Sequence, residues 1–254
     1  PLETFGFPLT TVGEATKRTE IFYVLALLAD RLESPYWAWR FLSCSFHYLQ
    51  DLHNPHHATQ ISPQLLWAGV MAYVQWGYEQ DKGFLKTIGH VGSNVHNFLE
   101  SWLSSYTGSN YVKYLQGERL SIPLSTRLLL RSLEGESTLK IGDFRSLIIG
   151  VRDQSNLQSL KLTNYVLDLT KAHLFGPREF PSGASSPDSV RDFMALEVLK
   201  DKDRYEAPLW PLLRERFQAM GESLRQVVLF FNFERIQKKD VKVLLDHINA
   251  LLAD

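Results

Sequence analysis

Apolar residues recur along this chain at spacings of three and four, and strand-like alternation is rare, so the pattern predicts an all-α protein. Residues 14–32 read as a first helix, with Phe22, Leu25, Leu28 and Leu32 on one face. Ser34-Pro35 offers a capping residue followed by a proline at the first helical position. The second helix is therefore expected from Pro35 to Leu52, ending before Pro55, which cannot continue it. Ser62-Pro63 marks a third start, reaching about Tyr78, and a fourth helix is expected over 93–104. Gly108 to Tyr111 reads as a turn. Further helices are expected at 123–134, 141–151, 155–173, 188–199, 208–219, 221–236 and 239–252. The stretch 176–189 is dense in Gly, Pro and Ser and reads as a surface loop rather than a linker. Residues 1–254 are thus expected to form a single helical domain without internal repeats.

Composition narrows the function classes. Hydrophobic residues make up 44% of the 254 residues and charged residues 22%, the balance of a packed globular protein. Lys plus Arg number 27 against 28 Asp plus Glu, a net charge of -1, which argues against binding duplex DNA through a broad basic face. The one cysteine, Cys44, falls in an apolar helix and is expected to be a small buried hydrophobe. The longest apolar runs, 21–29 and 227–231, fall far short of the ~20 residues that cross a bilayer, so no transmembrane segment is expected. No signal peptide is visible, and the start at Pro1 reads as a processed product or a fragment.

The chemistry concentrates in Phe46 to Ala58, F-H-Y-L-Q-D-L-H-N-P-H-H-A. His47 and Asp51 are four apart and project from one helix face, where an imidazole and a carboxylate can grip one cation. Pro55 ends the helix and turns the chain, bringing His56 or His57 back toward the same point. A second pair with the same spacing, His96 and Glu100, lies on the fourth expected helix. Two helices that each carry a histidine and a carboxylate can enclose metal in a bundle. Imidazole and carboxylate donors without thiolate suit zinc used for hydrolysis. A lone His-x3-Asp is usually an ordinary polar pair; the second pair and the proline-turned histidines favour the metal reading here. His90 reads as a loop residue, and His173 and His247 as helix-end cations without chemistry.

The stretch His47-Tyr48-Leu49-Gln50-Asp51-Leu52-His53-Asn54-Pro55-His56-His57 resembles the pattern H-[YF]-[LI]-G-D-[LVI]-x-Q-P-x-H of the zinc-dependent phospholipase C and single-strand nuclease superfamily. His96 and Glu100 resemble that family's later His-x3-Glu or His-x3-Asp element. The likeness runs from about Glu14 to Trp102 and fades over 105–220. It implies a multi-helix bundle of the zinc phospholipase C type with up to three zinc ions in a cleft. His57, His96 and Glu100 would hold one ion, His47 and Asp51 another, and Asp51 would reach the third. The residues present support one to two. The chain departs from the pattern at Gln50, where the family has Gly, and at Asn54, where it has Gln. An inserted segment carrying Trp67, Met71, Tyr73 and Trp76 is expected to be mostly core, or to overhang the cleft. The family also uses ligands upstream, and no histidine precedes His47. Asp30 lies on the wrong helix to replace them. Either the N-terminal part of the family domain is not in these 254 residues, or this branch has lost part of its cluster.

The resemblance implies a secreted or periplasmic phosphodiester hydrolase in which Asp51 is the one catalytic residue that can be placed. The expected substrate is a phospholipid, with possible peripheral membrane contact, because Glu100 matches the phospholipase branch. The alternative substrate is a nucleotide-type phosphodiester, because His53-Asn54-Pro55 is similar to the His-Gln-Pro of the nucleases. Two further readings stay open: a non-catalytic protein that keeps a structural zinc, and a metal-free helical binding module.

Overall fold

A computed structural model describes residues 14–58, 63–74, 84–134, 142–170, 202–237 and 239–253. Among these the regular elements are helices and no strand occurs, as the spacing predicts. They are α1 (Ala15–Arg31), α2 (Pro35–His53), α3 (Pro55–Ala58), α4 (Pro63–Ala72), α5 (Phe84–Leu115), α6 (Leu124–Ser132), α7 (Phe144–Thr170), α8 (Lys202–Gln237) and α9 (Val241–Ala253), with a 3-10 turn at Arg119–Ser121. None is long and apolar enough to cross a membrane. The expected loop at 176–189, the helix at 188–199, Trp76 and His173 lie outside the described residues.

The chain forms two compact units. The first comprises Pro1–Ala58, Leu133–Leu157 and Gln218–Asp254. Its core gathers Tyr23, Leu27, Leu42, Leu49, Ile148 and Phe231, with the Tyr23 and Phe144 rings stacked at 3.8 Å. The α1 face that is buried is not the one the spacing suggests. Tyr23, Val24, Ala26 and Leu27 are inside, Phe22, Leu25 and Leu28 are half-buried, and Leu32 is exposed. α1 meets both α2 and α9, so its covered surface is wider than a single apolar stripe and is centred on Tyr23 and Leu27. One buried polar group is paired across helices: Ser45 Oγ donates to the Thr19 carbonyl at 2.8 Å. His247, read from sequence as a helix-end cation, instead sits 3.1 Å from the buried Glu20 carboxylate. Asp30 pairs with Arg235 at 2.8 Å. Cys44 is half-buried, short of the full burial expected.

The second unit comprises Thr59–Ser132 and Gln158–Phe217. Leu65 of α4 packs with Val95, Phe98 and Leu99 of α5, Leu129 of α6, Leu162 and Val166 of α7, and Leu209, Leu212 and Leu213 of α8. Trp67 and Met71, expected in the core, face solvent because Leu65 occupies the inward position of α4. α5 runs unbroken through His90 and through Gly108 to Tyr111, both read from sequence as non-helical. Each glycine costs about 1 kcal/mol in a helix interior, and the buried row of Val95, Phe98 and Leu99 outweighs it. The pairs of helices expected at 141–151 and 155–173, and at 208–219 and 221–236, are likewise single helices, α7 and α8. α8 tolerates Pro208 and Pro211 while burying Leu209, Leu212 and Leu213 beside them.

Helix ends follow local chemistry. α5 closes in a Schellman motif: Gly117 has φ 83° and the Glu118 N–H donates to the Lys113 carbonyl at 2.9 Å. α1 closes the same way with the Ser34 N–H on the Ala29 carbonyl at 2.9 Å, but here Glu33 takes the left-handed position at φ 55°. Ser34 makes no side-chain cap on α2, so Pro35 alone carries the expected start signal. Asp143 caps α7: its carboxylate accepts from the Ser146 N–H at 2.8 Å and hydroxyl at 2.7 Å, bonds that hold its pKa below the usual carboxylate range.

Two substitutions test these points. Glu33→Gly removes left-handed strain of ~1 kcal/mol and is expected to raise Tm by a few degrees in a thermal melt. Gly221 on α8 lies against the backbone of Leu133, where an added Cβ would stand 2.6 Å from the carbonyl carbon and 3.1 Å from Cα. Backbone cannot rotate aside, so Gly221→Ala is expected to lower stability by about 1–3 kcal/mol; an unchanged denaturant midpoint would refute the close packing.

Candidate metal centre

The first unit assembles three of the five residues expected to bind metal, and one bend does it. α2 ends at His53, and the Asn54 N–H closes it on the Asp51 carbonyl at 2.9 Å. Asn54 then leaves helical geometry, with ψ 115°. Its side-chain oxygen accepts from the His56 N–H at 3.1 Å, and its carbonyl accepts from the His57 and Ala58 N–H groups at 2.9 and 3.1 Å. Asn54 is therefore the end cap of one helix and the start cap of the next. Pro55 takes the first position of α3, where its missing N–H costs nothing. Had α2 continued straight, His57 would project well away from Asp51, since six residues advance ~240° beyond a full turn.

The result is a carboxylate between two rings. Asp51 Oδ2 lies 3.6 Å from His47 Nε2, and Asp51 Oδ1 lies 3.5 Å from His57 Nδ1. His47 is the most exposed at 67%, while Asp51 and His57 are about a quarter exposed, at 25% and 24%. Between the two alternatives the sequence leaves open beyond the proline, the structure turns His57 toward Asp51. His53 is buried at the end of α2.

The second unit supplies the other pair. His96 Nε2 and Glu100 Oε1 on α5 stand 3.2 Å apart, on the flank of the helix beside the buried Val95, Phe98 and Leu99. Both are partly exposed, at 32% and 49%.

These separations are compatible with a small divalent cation such as zinc. Ligand atoms ~2.0–2.2 Å from a tetrahedral ion stand ~3.4 Å from each other. The Asp51 distances exceed the ~2.8 Å of a charged hydrogen bond and lie near the ~3.4 Å between donors that share one ion. A carboxylate only accepts, so each ring faces Asp51 either through its own N–H or across a shared cation.

Sequence reading missed the surroundings of His47. A row of rings runs along the first unit: Tyr36 to Trp37 at 5.3 Å, Trp37 to Phe41 at 5.7 Å, Phe41 to Phe22 at 6.3 Å, Phe22 to Tyr48 at 5.6 Å and Tyr48 to His47 at 5.4 Å. Arg18 lies 5.6 Å over the Tyr48 ring and donates to its hydroxyl at 3.3 Å. The α2 members recur at helical spacing, which was visible; that Phe22 of α1 joins them was not. Asp30 stays apart, tied to Arg235. No protein-family model, curated protein or solved structure matches this chain.

Were zinc to bind at His47, Asp51 and His57, Asn54→Ala would weaken it about 10–100-fold with every donor residue intact, as loss of a supporting group does, while helix content stays unchanged. A competition titration with a chromophoric chelator reads it; equal affinity would show that the bend does not organise the site.

Proposed function

We propose that this chain is a zinc-dependent phosphodiester hydrolase, phospholipase C-like, that cleaves phospholipid headgroups. The observation that carries the reading is the Asp51 carboxylate with a different imidazole at each oxygen, His47 at one and His57 at the other. The second imidazole–carboxylate pair, His96 with Glu100, supports it. Zinc held by His47, Asp51 and His57 in the first unit, and zinc held by His96 and Glu100 in the second, would each supply a polarised water at neutral pH and offset charge on phosphoryl oxygens.

The chain's own residues do the rest. Asp51 fixes the spacing of the donors by facing two rings at once, and its partial burial keeps those interactions strong. Asn54 and Pro55 hold His57 in register. The ring row that begins at the exposed Tyr36 and Trp37 and ends at His47 gives an amphipathic track on which the apolar part of a lipid can lie beside the centre. Arg18, half exposed above Tyr48, offers a cation near the same point. That pairing also favours the second reading, a single-strand nuclease, because bases stack on rings and phosphates meet arginine.

Hydrolysis of lecithin vesicles and of single-stranded DNA, each with and without chelator, tests the proposal. Chelator-sensitive release of phosphocholine is expected, falling more than about 100-fold in Asp51→Asn and His96→Ala, since direct ligands outweigh supporting groups. Cleavage of DNA alone would select the nuclease. Stoichiometric zinc without either activity would leave a structural metal and sink the enzyme reading.

A further inference from the structure

Within the first unit α7 and α8 enclose a groove. The Tyr23 ring meets Phe144, at the start of α7, at 3.8 Å and Phe231, late in α8, at 6.3 Å. From there the groove runs over residues 142–154 on one side and 219–230 on the other, so the two helices are antiparallel. At a rise of ~1.5 Å per residue each wall is ~16–18 Å long. The volume is about 260 Å³, below the ~300 Å³ at which pockets for drug-sized ligands begin. A space so long and so small takes an extended chain rather than a ring. Gly150 keeps one wall open, since nothing stands within 4 Å of where its Cβ would be.

The lining offers acceptors and negative charge. Asp143 lies near one end and Glu222 toward the other, ~12 Å apart along the groove. Hydrogen bonds from Ser146 hold the Asp143 carboxyl below its ordinary range, so it is ionised at neutral pH. The Ser146 hydroxyl spends its proton on Asp143 at 2.7 Å, and the Ser223 hydroxyl spends its own on the Ala219 carbonyl at 2.8 Å, leaving both as acceptors. Glu222 accepts from Gln218 at 3.0 Å and has further lone pairs to share. Gln226 is 7% exposed and lines the floor, where its amide bonds to whatever fills the groove, water or ligand. Leu147 and Val151 supply apolar wall between the two carboxylates. No Lys, Arg or His stands among the described lining residues.

We propose that this groove binds a linear aliphatic polyamine, with one terminal ammonium at Asp143, the other at Glu222 and the methylenes over Leu147 and Val151. An ammonium only donates, which suits carboxylates and serines that only accept. A lysine side chain carries one ammonium and answers one carboxylate; a bare metal ion gains nothing from the length of the groove. The residues assigned to zinc take no part, so the site stands whether or not zinc binds.

Calorimetric titration of the full chain at fixed ionic strength tests it, with spermidine, 1,8-diaminooctane, 1,3-diaminopropane and 8-amino-1-octanol as probes. Spermidine and the eight-carbon diamine are expected to bind. The short diamine and the amino alcohol should each be about tenfold weaker or more, because each forfeits one charge-assisted contact. Asp143→Asn, which keeps a good helix cap, and Glu222→Gln should each cost a similar factor. Gly150→Leu puts a side chain into the open wall and suits a helix better than glycine does, so binding should vanish while the thermal melt holds. The proposal is overturned if neither long amine binds, or if the short diamine or the amino alcohol binds equally well. Undiminished affinity in Gly150→Leu also overturns it, as does displacement of spermidine by calcium at the same ionic strength, which reduces the groove to an acidic patch. Should Gly150→Leu fail to fold, full affinity in both Asp143→Asn and Glu222→Gln overturns it instead.

Discussion

The Asn54-Pro55 reversal is the constraint from which the chemistry of the first unit follows. A continuous helix can present His47 and Asp51 on one face, but no third donor six residues after Asp51 can join them. Breaking the helix normally strands backbone donors and acceptors. Here one asparagine answers them: its N–H closes α2, and its two oxygens receive three N–H groups of α3. The bend is therefore cheap, short and specific. Leu49 and Leu52, both buried, pin the end of α2 to the core of the unit, so the direction of the reversal is set by packing as well as by capping.

What was legible from sequence shares one property: the cause lies within a few residues of the effect. The start of α2 at Pro35, its end before Pro55, and the shared face of His47 and Asp51 all follow from local geometry. What was not legible was decided by distant residues. α5 passes through glycines because its apolar face is covered by α4, α6, α7 and α8, and nothing near Gly108 says so. The inward face of α1 depends on where α2 and α9 lie. His247 finds Glu20 from the far end of the chain, and its neighbours in sequence carry no hint of that partner. Of the candidate site, the donors and their spacing were readable, while the ring row beside His47 needed α1 and α2 to meet.

The two polar clusters illustrate opposite solutions to one problem. At Asp51 the acceptor is in excess: one carboxylate faces two rings whose nitrogens can be acceptors as well. At Arg216 the donors are in excess, and the neighbouring carboxylate is shared with an amide. A protein that had only stability to satisfy would fill such positions with apolar groups of similar size, often at no loss. Both clusters instead keep ionisable groups, one around a carboxylate and the other around a guanidinium. A fold in which Ser45 and Glu20 are neatly paired shows that local satisfaction is within its reach. The contrast lies in burial: Asp51, a quarter exposed, can share its oxygens with water as well as with two rings, whereas the guanidinium of Arg216, 5% exposed, leans on the Glu215 carboxylate.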